Sequence, residues 1–457
     1  MTSAPPHAIP PAADVPPSLL RRAIAASAVG NAVEWFDYGI YAYGTTYIAA
    51  ALFPEHATQA MIFTLLGFAV SFLMRPIGGL FWGPLGDRIG RKRVLATTII
   101  IMASATFCIG LLPSYTMIGI WAPVLLYTLR IIQGFSTGGE YGGAATFMAE
   151  YAPDRRRGFF GSFLEVGTLA GFNAGALLML LMIALTNDQQ MHDWGWRVPF
   201  LVAGPLGLIG LYLRSKMEDT PIFQELAETE NTASGRETLK ELVVHHWRPL
   251  LVLGGLVIAV NVVNYTLLSY TPTYLQSVID LSAEHALIVP IVGQLIMMML
   301  LPIVGGFSDR VGRKPVWLAS LVGTILLAYP MYQLMGTSFA GAVIAFTVLG
   351  LLYTPQLATI SATFPAMFPT HVRYAGLALG YNISTSLFGG TAGLVNEALI
   401  TRTGDPLWPA YYTIGACVIG LICWFFMIET KGMSLRGTQV PGTAEAFAEQ
   451  ERLSAVR

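Results

Sequence analysis

Charge is scarce in this sequence. Of 457 residues only 12% are Asp, Glu, Lys or Arg, while 54% are hydrophobic. That is too little charge to coat a soluble domain, so apolar residues must face lipid. Cysteine is scarcer still: Cys108, Cys417 and Cys423 all lie in apolar segments, which argues against disulfides or a metal site and makes them small hydrophobes. The net charge is −1, with Lys and Arg gathered in short loops rather than on one face, and this offers no surface for nucleic acid. Nucleophile–base triads, zinc-ligand spacings and phosphate-cradling loops are also missing. The glycine-rich stretch from Gly138 to Gly143 falls inside an apolar span, where close helix packing explains it. Enzyme chemistry, ATP coupling and any cofactor are left without support.

What is present is a series of apolar runs of roughly 20 residues, each long enough to cross a ~30 Å hydrocarbon core at ~1.5 Å per residue. Spans are predicted over 23–52, 60–84, 94–112, 119–150, 158–186, 197–214, 248–276, 284–307, 315–335, 338–367, 375–400 and 407–428. One long polar stretch, 215–247, divides six from six. The expected architecture is all-α and polytopic: a six-helix bundle over 23–214, a cytoplasmic linker over 215–247 and a second six-helix bundle over 248–428. The proline-rich residues 1–22 lack the order of a signal peptide and read as a disordered cytoplasmic tail. Residues 429–457 read as a second cytoplasmic tail. Basic residues mark alternate loops: Arg88, Arg91, Lys92 and Arg93 after span two, Arg155, Arg156 and Arg157 after span four, and Arg310, Arg313 and Lys314 after span eight. The positive-inside bias puts these loops and both termini on the cytoplasmic side of a plasma (bacterial inner) membrane.

The chain repeats itself. The run Gly83-Pro-Leu-Gly-Asp87-Arg88-Ile-Gly90-Arg91-Lys92 returns as Gly305-Gly-Phe-Ser-Asp309-Arg310-Val-Gly312-Arg313-Lys314, each position 222 residues on, and Pro153 to Arg157 is echoed by Pro369 to Arg373, 216 residues on. Two similar halves of parallel topology form a known transporter plan, with the substrate site between them near the midplane. In the repeated loop, glycines let helix ends approach closely, while the Asp and the Arg/Lys cluster can latch those ends together. A role in topology alone would explain the basic residues but not the Gly and Asp spacing.

The repeated loop and Arg130-Ile-Ile-Gln133-Gly134 resemble the signatures of the major facilitator superfamily. Gly30-Asn31-Ala-Val-Glu34-Trp35-Phe-Asp37-Tyr38, Gly138-Gly-Glu140-Tyr-Gly142 and Trp194-Gly-Trp-Arg-Val-Pro-Phe200 resemble its metabolite:proton symporters. The stretches 149–159 and 365–374 are most similar to the proline/glycine-betaine symporters. This resemblance implies a twelve-helix, two-bundle carrier with alternating access, driven by the proton gradient and working as a single chain. One feature departs from it: osmosensory members carry a long C-terminal coiled coil, whereas the residues after Thr430 hold no three-heptad repeat.

Charge within a bilayer is costly unless paired or solvated, so each intramembrane charge is a functional candidate. On span one, Glu34 and Asp37 with Asn31, Tyr38 and Tyr41 follow helical spacing and form a polar stripe expected to face the cavity. Rise per residue puts Glu34 ~16 Å and Asp37 ~21 Å from the cytoplasmic end of span one, and Arg130 ~31 Å and Glu140 ~16 Å up span four. Arg130 should therefore reach Asp37 more readily than Glu34. A carboxylate beside an Arg stays ionised until the pair separates and then, once desolvated, takes up a proton, which is the logic of coupling. A static buried ion pair is the alternative. Glu165 lies ~10 Å in on span five, and Arg75, beside Pro76, could hold carbonyls freed by the proline. The second half offers only uncharged lining candidates, Asn261, Asn264, Tyr265, Gln356 and Asn382, each of which could simply bridge helices. Proton chemistry is thus assigned to Glu34, Asp37, Arg130 and Glu140.

Counted inside the spans, the carboxylates Glu34, Asp37, Glu140 and Glu165 outnumber the cations Arg75 and Arg130. A zwitterion suits such a cavity better than a di- or tricarboxylate. Its carboxylate would meet Arg130, near Gln133, and its amine would meet an acid or the faces of Trp35, Tyr38, Tyr41 and Tyr265. Proline, glycine betaine or a related solute is the favoured substrate, symport of organic acids such as 2-oxoglutarate or citrate the alternative, and a channel or membrane enzyme the more distant rival. The latch itself makes a prediction. Asp87→Asn leaves the basic cluster uncompensated and lowers transport at unchanged membrane abundance; uptake equal to the parent's at equal abundance would refute it.

Overall fold

The computed structural model describes residues 17–54, 59–89, 91–138, 145, 146, 148, 149, 152–215, 241–435, 440, 441, 443–446 and 448. These form twelve helical spans. In the first half they are α1 (Pro17–Tyr43, continued by Thr45–Leu52), α2 (Ala60–Leu73 and Arg75–Ile89), α3 (Arg91–Gly110), α4 (Trp121–Thr137), α5 (Arg157–Leu185) and α6 (Val198–Ser215). The second half follows with α7 (Trp247–Asn264, a π turn Tyr265–Tyr270 and Thr271–Ser277), α8 (Ala283–Val311), α9 (Arg313–Met335), α10 (Phe339–Thr363), α11 (Thr370–Ser384, a π turn Thr385–Gly389 and Ala392–Thr403) and α12 (Trp408–Phe426). Most of the linker lies outside the described residues. Several helices outrun their predicted apolar spans, among them α1 from Pro17, α2 to Ile89, α8 to Val311 and α11 from Thr370, because their polar end turns belong to the helix but not to the hydrocarbon; α1 thereby takes in residues 17–22 of the segment predicted to be a disordered tail.

Among the described residues, seven helices are long and apolar enough to cross a membrane, those of α2, α5, α7, α8, α9, α10 and α12. Others fall short for local reasons: α1 carries acids, and α11 is interrupted by a turn at Gly390 and Thr391. Large apolar side chains such as Leu80, Phe81, Leu208, Met299, Leu326 and Phe426 remain exposed, as lipid-facing residues of a multi-pass protein should.

Inside the bundles, helices meet at backbone contact. A Cβ on Gly134 of α4 would stand 1.7 Å from the Ser71 carbonyl of α2, and on Gly167 and Gly171 of α5 it would stand 2.2 and 2.3 Å from the Ala28 and Ala32 carbonyls of α1. Small residues at such crossings gain van der Waals contact where lipid supplies no hydrophobic drive. Between the halves, Gly158 of α5 and Gly305 of α8 face each other, each with a virtual Cβ 2.4 Å from the other's carbonyl oxygen.

At the end bearing the Arg-rich loops, here the basic end, the repeat becomes geometry. Arg157 Nε donates to the Ala149 carbonyl (3.2 Å) and Arg373 Nε to that of Pro365 (2.9 Å), donor and acceptor both shifted by 216 residues. The same two arginines grip the chain beyond α12, Arg157 at the Met433 carbonyl (3.0 Å) and Arg373 at that of Leu435 (2.5 Å). Glu429 adds a clamp, accepting from the backbone N–H of Arg313 (2.9 Å) and Lys314 (3.0 Å). The predicted C-terminal tail therefore begins as a strap across both halves.

The glycine crossings predict their own sensitivity. Gly171→Val forces α5 away from α1 and costs about 1–3 kcal/mol or more, read as a lower melting midpoint of the detergent-solubilised protein; an unchanged midpoint would show that the crossing can relax.

Candidate functional site

The buried charge of the first half gathers around α1, where Asn31, Glu34, Trp35, Asp37, Tyr38 and Tyr41 are all buried. Asn31 donates to the Leu164 carbonyl (2.9 Å) and to Thr168 Oγ1 (2.6 Å), and Thr168 donates to Glu165 Oε2 (2.9 Å). This ties α1 to α5. Glu34 Oε1 lies 3.6 Å from Arg75 Nη2. Asp37 Oδ2 accepts from Thr106 Oγ1 (3.0 Å), Thr106 accepts from Gln133 Nε2 (3.1 Å), and Gln133 Oε1 accepts from Arg130 Nη1 (2.5 Å). Arg130 thus reaches Asp37 through Gln133 and Thr106, a link the helical rise alone could not show.

Arg75 corrects one expectation. Rather than serving its own kinked helix, its guanidinium faces Glu34 and stacks on rings, 4.2 Å from the Phe72 centroid and 4.7 Å from that of Tyr38. Arg130 likewise lies 4.0 Å from the Tyr41 centroid and 5.3 Å from that of Phe68. Ring faces supply attraction that buried cations lose with their water. The faces of Tyr38 and Tyr41, expected to receive a substrate amine, are therefore occupied by the protein's own cations. Their hydroxyls are engaged too, Tyr38 with Thr137 (3.0 Å) and Tyr41 with the Thr64 carbonyl (2.9 Å).

A cavity lies between the halves. As it stands it has room for about one water molecule, and it is lined by Trp35, Glu165 and Thr168 from the first half and by Asn261, Asn264, Tyr353 and Tyr381 among others from the second. Tyr353 donates to Asn264 Oδ1 (3.2 Å). The Trp35 ring lies 6.0 Å from that of Tyr265, and the Trp35 indole N–H and Tyr265 hydroxyl are buried with no hydrogen-bond partner. Buried donors without partners are rare and mark places where a polar ligand or water belongs.

Of the predicted lining residues, Trp35, Glu165, Asn261 and Asn264 face this cavity and Tyr265 stands beside it. Arg130, Gln133, Tyr38 and Tyr41 belong to the interior of the first bundle. Gln356 donates to Ser320 Oγ (2.8 Å), bridging α10 to α9, and Asn382 donates to the Gly138 carbonyl (2.9 Å), bridging the halves. Glu140 and Gly90 lie outside the described residues, as do the side chains of Gly83, Asp87, Arg88, Arg91 and Lys92. The second copy of the latch is described. Asp309 accepts from the backbone N–H of Gly158 and Phe159 (2.9 Å each) and from Arg313 Nη2 (2.6 Å), capping the N-terminus of α5 in the opposite half. Gly312 adopts φ +107°, and a Cβ there would come 2.6 Å from Glu429 Oε2. Arg310 contributes its carbonyl to Lys431.

Contacts also join the halves at the far end. Tyr43 of α1 donates to the Leu268 carbonyl (3.2 Å) and accepts from Gln294 Nε2 (3.0 Å), Asn173 donates to Gln294 Oε1 (3.2 Å), and Thr46 donates to Gln276 Oε1 (3.2 Å). Two π turns, rare and frequent at functional sites, meet beside the cavity, where a Cβ on Gly389 would stand 2.7 Å from the Tyr265 ring. Several polar residues escaped the sequence reading: Thr106, Tyr353, Tyr381 and Glu397. Glu397 adds a buried carboxylate to the second half away from the residues that line the cavity: it lies in α11 and accepts from the Tyr270 hydroxyl (2.6 Å). A lone acid in an apolar span was the available signal, masked by its closeness to the predicted end of that span.

Residues 28–394 match the Major Facilitator Superfamily. The glycine betaine/proline/ectoine/pipecolic acid transporter OusA of Dickeya dadantii is 44% identical over 428 residues, covering 92% of this chain and 85% of that protein. A proline/betaine transporter of Salmonella typhimurium is 44% identical over 427 residues, with the same coverage, and the ectoine/proline transporter ProP of Corynebacterium glutamicum 43% over 439, covering 93% and 87%. Among solved structures, the proton:xylose symporter XylE bound to 6-bromo-6-deoxy-D-glucose superposes with a TM-score of 0.72 at 16% identity, covering 96% of this chain and 99% of that one. A partially occluded inward-open XylE from E. coli gives 0.71 at 18%, covering 91% and 100%. Two six-helix halves around a shared polar cavity and nearly full-length likeness to these transporters make the chain a member of the major facilitator superfamily, a multi-pass membrane transporter of the proline/betaine transporter group.

Proposed function

We propose that this protein imports a small zwitterionic compatible solute, of the proline or betaine type, together with protons, by alternating access across the bacterial inner membrane, with the basic end cytoplasmic. The observation that carries the reading is the cavity between the halves, where one carboxylate, Glu165, stands among the rings of Trp35, Tyr353 and Tyr381. A secondary or quaternary amine suits aromatic faces and a carboxylate, and each cation–π contact contributes about 0.5–2 kcal/mol. The solute's own carboxylate takes the donors left over, the Trp35 indole, the Tyr265 hydroxyl and the Asn264 amide. Polyanions meet Glu165 with no cationic side chain among the lining residues to offset it. The names of the relatives, all transporters of proline with betaine or ectoine, support the same solute class.

Alternating access requires that the two ends close in turn. Asp309 and Arg313 hold the basic end, and the sequence repeat assigns Asp87 the corresponding role. On the other side the halves are held by Tyr43, Gln294 and Asn173 near the middle of their helices and by Thr46 with Gln276 nearer the far end. Proton coupling belongs to Glu34 and Asp37: Glu34 adjoins Trp35 at the cavity and faces Arg75 3.6 Å away, so a shift of α1 on solute binding changes the Glu34–Arg75 separation and with it the affinity for a proton. Arg130 sets the field at Asp37 through Gln133 and Thr106. No cofactor is required, since the proton gradient supplies the energy.

Proteoliposomes under an imposed pH gradient test the substrate. Labelled proline and betaine accumulate and compete with each other, and a protonophore collapses the gradient; saturable citrate or 2-oxoglutarate uptake that neither solute inhibits would reverse the choice. Trp35→Ala raises the half-saturation concentration by about 2- to 30-fold, the span of a lost contact of ~0.5–2 kcal/mol. Glu34→Gln or Asp37→Asn abolishes protonophore-sensitive accumulation while solute exchange persists. If both variants still accumulate solute, coupling lies elsewhere.

A further inference from the structure

The carboxylate that the coupling scheme leaves unused is Glu397. It sits in the last segment of α11, six residues before that helix ends at Thr403 and so ~9 Å from the far end. It is 8% exposed, and its Oε2 accepts from Tyr270, which belongs to the π turn of α7. Among the described residues no Lys, Arg or His pairs with it. The titratable groups nearest it are tyrosines, Tyr270, then Tyr274 at 6.2 Å between rings and Tyr332 beyond at 6.0 Å, with Tyr412 of α12 against Thr391; Asp405, past the end of α11, acts on Tyr274, and Arg402 of the same helix is exposed. The facing segment of α2, Ala60–Leu73, contains no titratable residue.

We propose that Glu397 is a second proton-binding site, lying in the half opposite Glu34 and Asp37, and that its protonation permits the far end to close. The step is one proton from the outer aqueous phase onto the carboxylate, giving the neutral acid, with no other bond made or broken. An ionised carboxylate in this pocket has a single hydroxyl on Oε2 and, at 8% exposure, little contact with solvent, so it pays for most of its desolvation without a cation. The neutral acid carries no such penalty. The turn that bears Glu397 also touches the other half: a Cβ on Gly393 would stand 3.3 Å from Leu65 of α2 and 3.4 Å from Tyr270. Hydrating an ionised Glu397 therefore means separating α11 and the π turn of α7 from α2, which opens the far end. Closure and proton binding are one equilibrium, and for one coupled proton the closed-to-open ratio changes by up to about tenfold per pH unit.

The inference rests on the carrier reading but needs no substrate to test. In a full-length, cysteine-free background, spin labels on the exposed far-end residues Gln189 and Glu284 report the separation of the halves in proteoliposomes across a pH series. The population with the longer distance rises with pH, by up to about tenfold per unit. Glu397→Gln holds the short distance and loses one proton from that dependence, and Tyr270→Phe, which keeps the acid, moves its midpoint. A distance distribution that ignores pH in the unsubstituted protein, the same slope in Glu397→Gln, or an unmoved midpoint in Tyr270→Phe each overturns the proposal. A misassigned solute would leave all three readings unchanged and show only in the uptake competition.

Discussion

Two guanidinium groups, those of Arg75 and Arg130, lie buried inside a membrane bundle, and accommodating them organises the first half. Neither can shed its proton, so each needs anions or polarisable surface in place of water. Glu34 supplies the anion for Arg75, while Tyr38, Tyr41, Phe68 and Phe72 supply ring faces for both. This engages four of the rings of α1 and α2 within the bundle. Trp35, one position from Glu34, is the α1 ring left to line the cavity. The Glu34–Arg75 pair and the cavity consequently adjoin on one helix without sharing a pocket.

The same economy shapes the interface between the halves. Hydrogen bonds and backbone approaches join the halves at Gly158, Gly305 and Asp309 on the basic side and at Tyr43, Gln294 and Gln276 on the other, while the rings of Trp35, Phe68 and Phe72 pack on Tyr265 between them. At the basic end, Glu429 and the carbonyls of Met433 and Leu435 add a strap held by the symmetry-related Arg157 and Arg373. Any inward opening has to stretch or release that strap.

Much of the fold is legible in the chain because it follows from local composition. Apolar runs locate the helices and basic loops orient them, and the repeated Gly-Asp-Arg pattern reveals the two halves, each an inference needing only a few adjacent residues. Among the site residues, Glu34, Asp37 and Glu165 stand out for the same reason, since a charge in a span is conspicuous. Thr106, Tyr353 and Tyr381 do not stand out: hydroxyls and rings are ordinary in membrane helices, and their place in the site depends on which helix lies opposite.

The sequence by itself determined that this is a twelve-helix membrane carrier with a duplicated Gly-Asp-Arg loop and an acid-rich first half. Only the tertiary structure decided how those charges are shared. Helical rise placed Arg130 near Asp37 in height, but the path through Gln133 and Thr106, the assignment of Arg75 to Glu34 and the capture of the tyrosine faces by guanidinium groups depend on the rotation of α1 against α2, α3 and α4. Rise along a helix is a property of the backbone and can be counted from the chain. Rotation is set by packing between helices distant in sequence, such as the seating of Gly134 on Ser71 and of Gly171 on Ala32, and no local pattern encodes it.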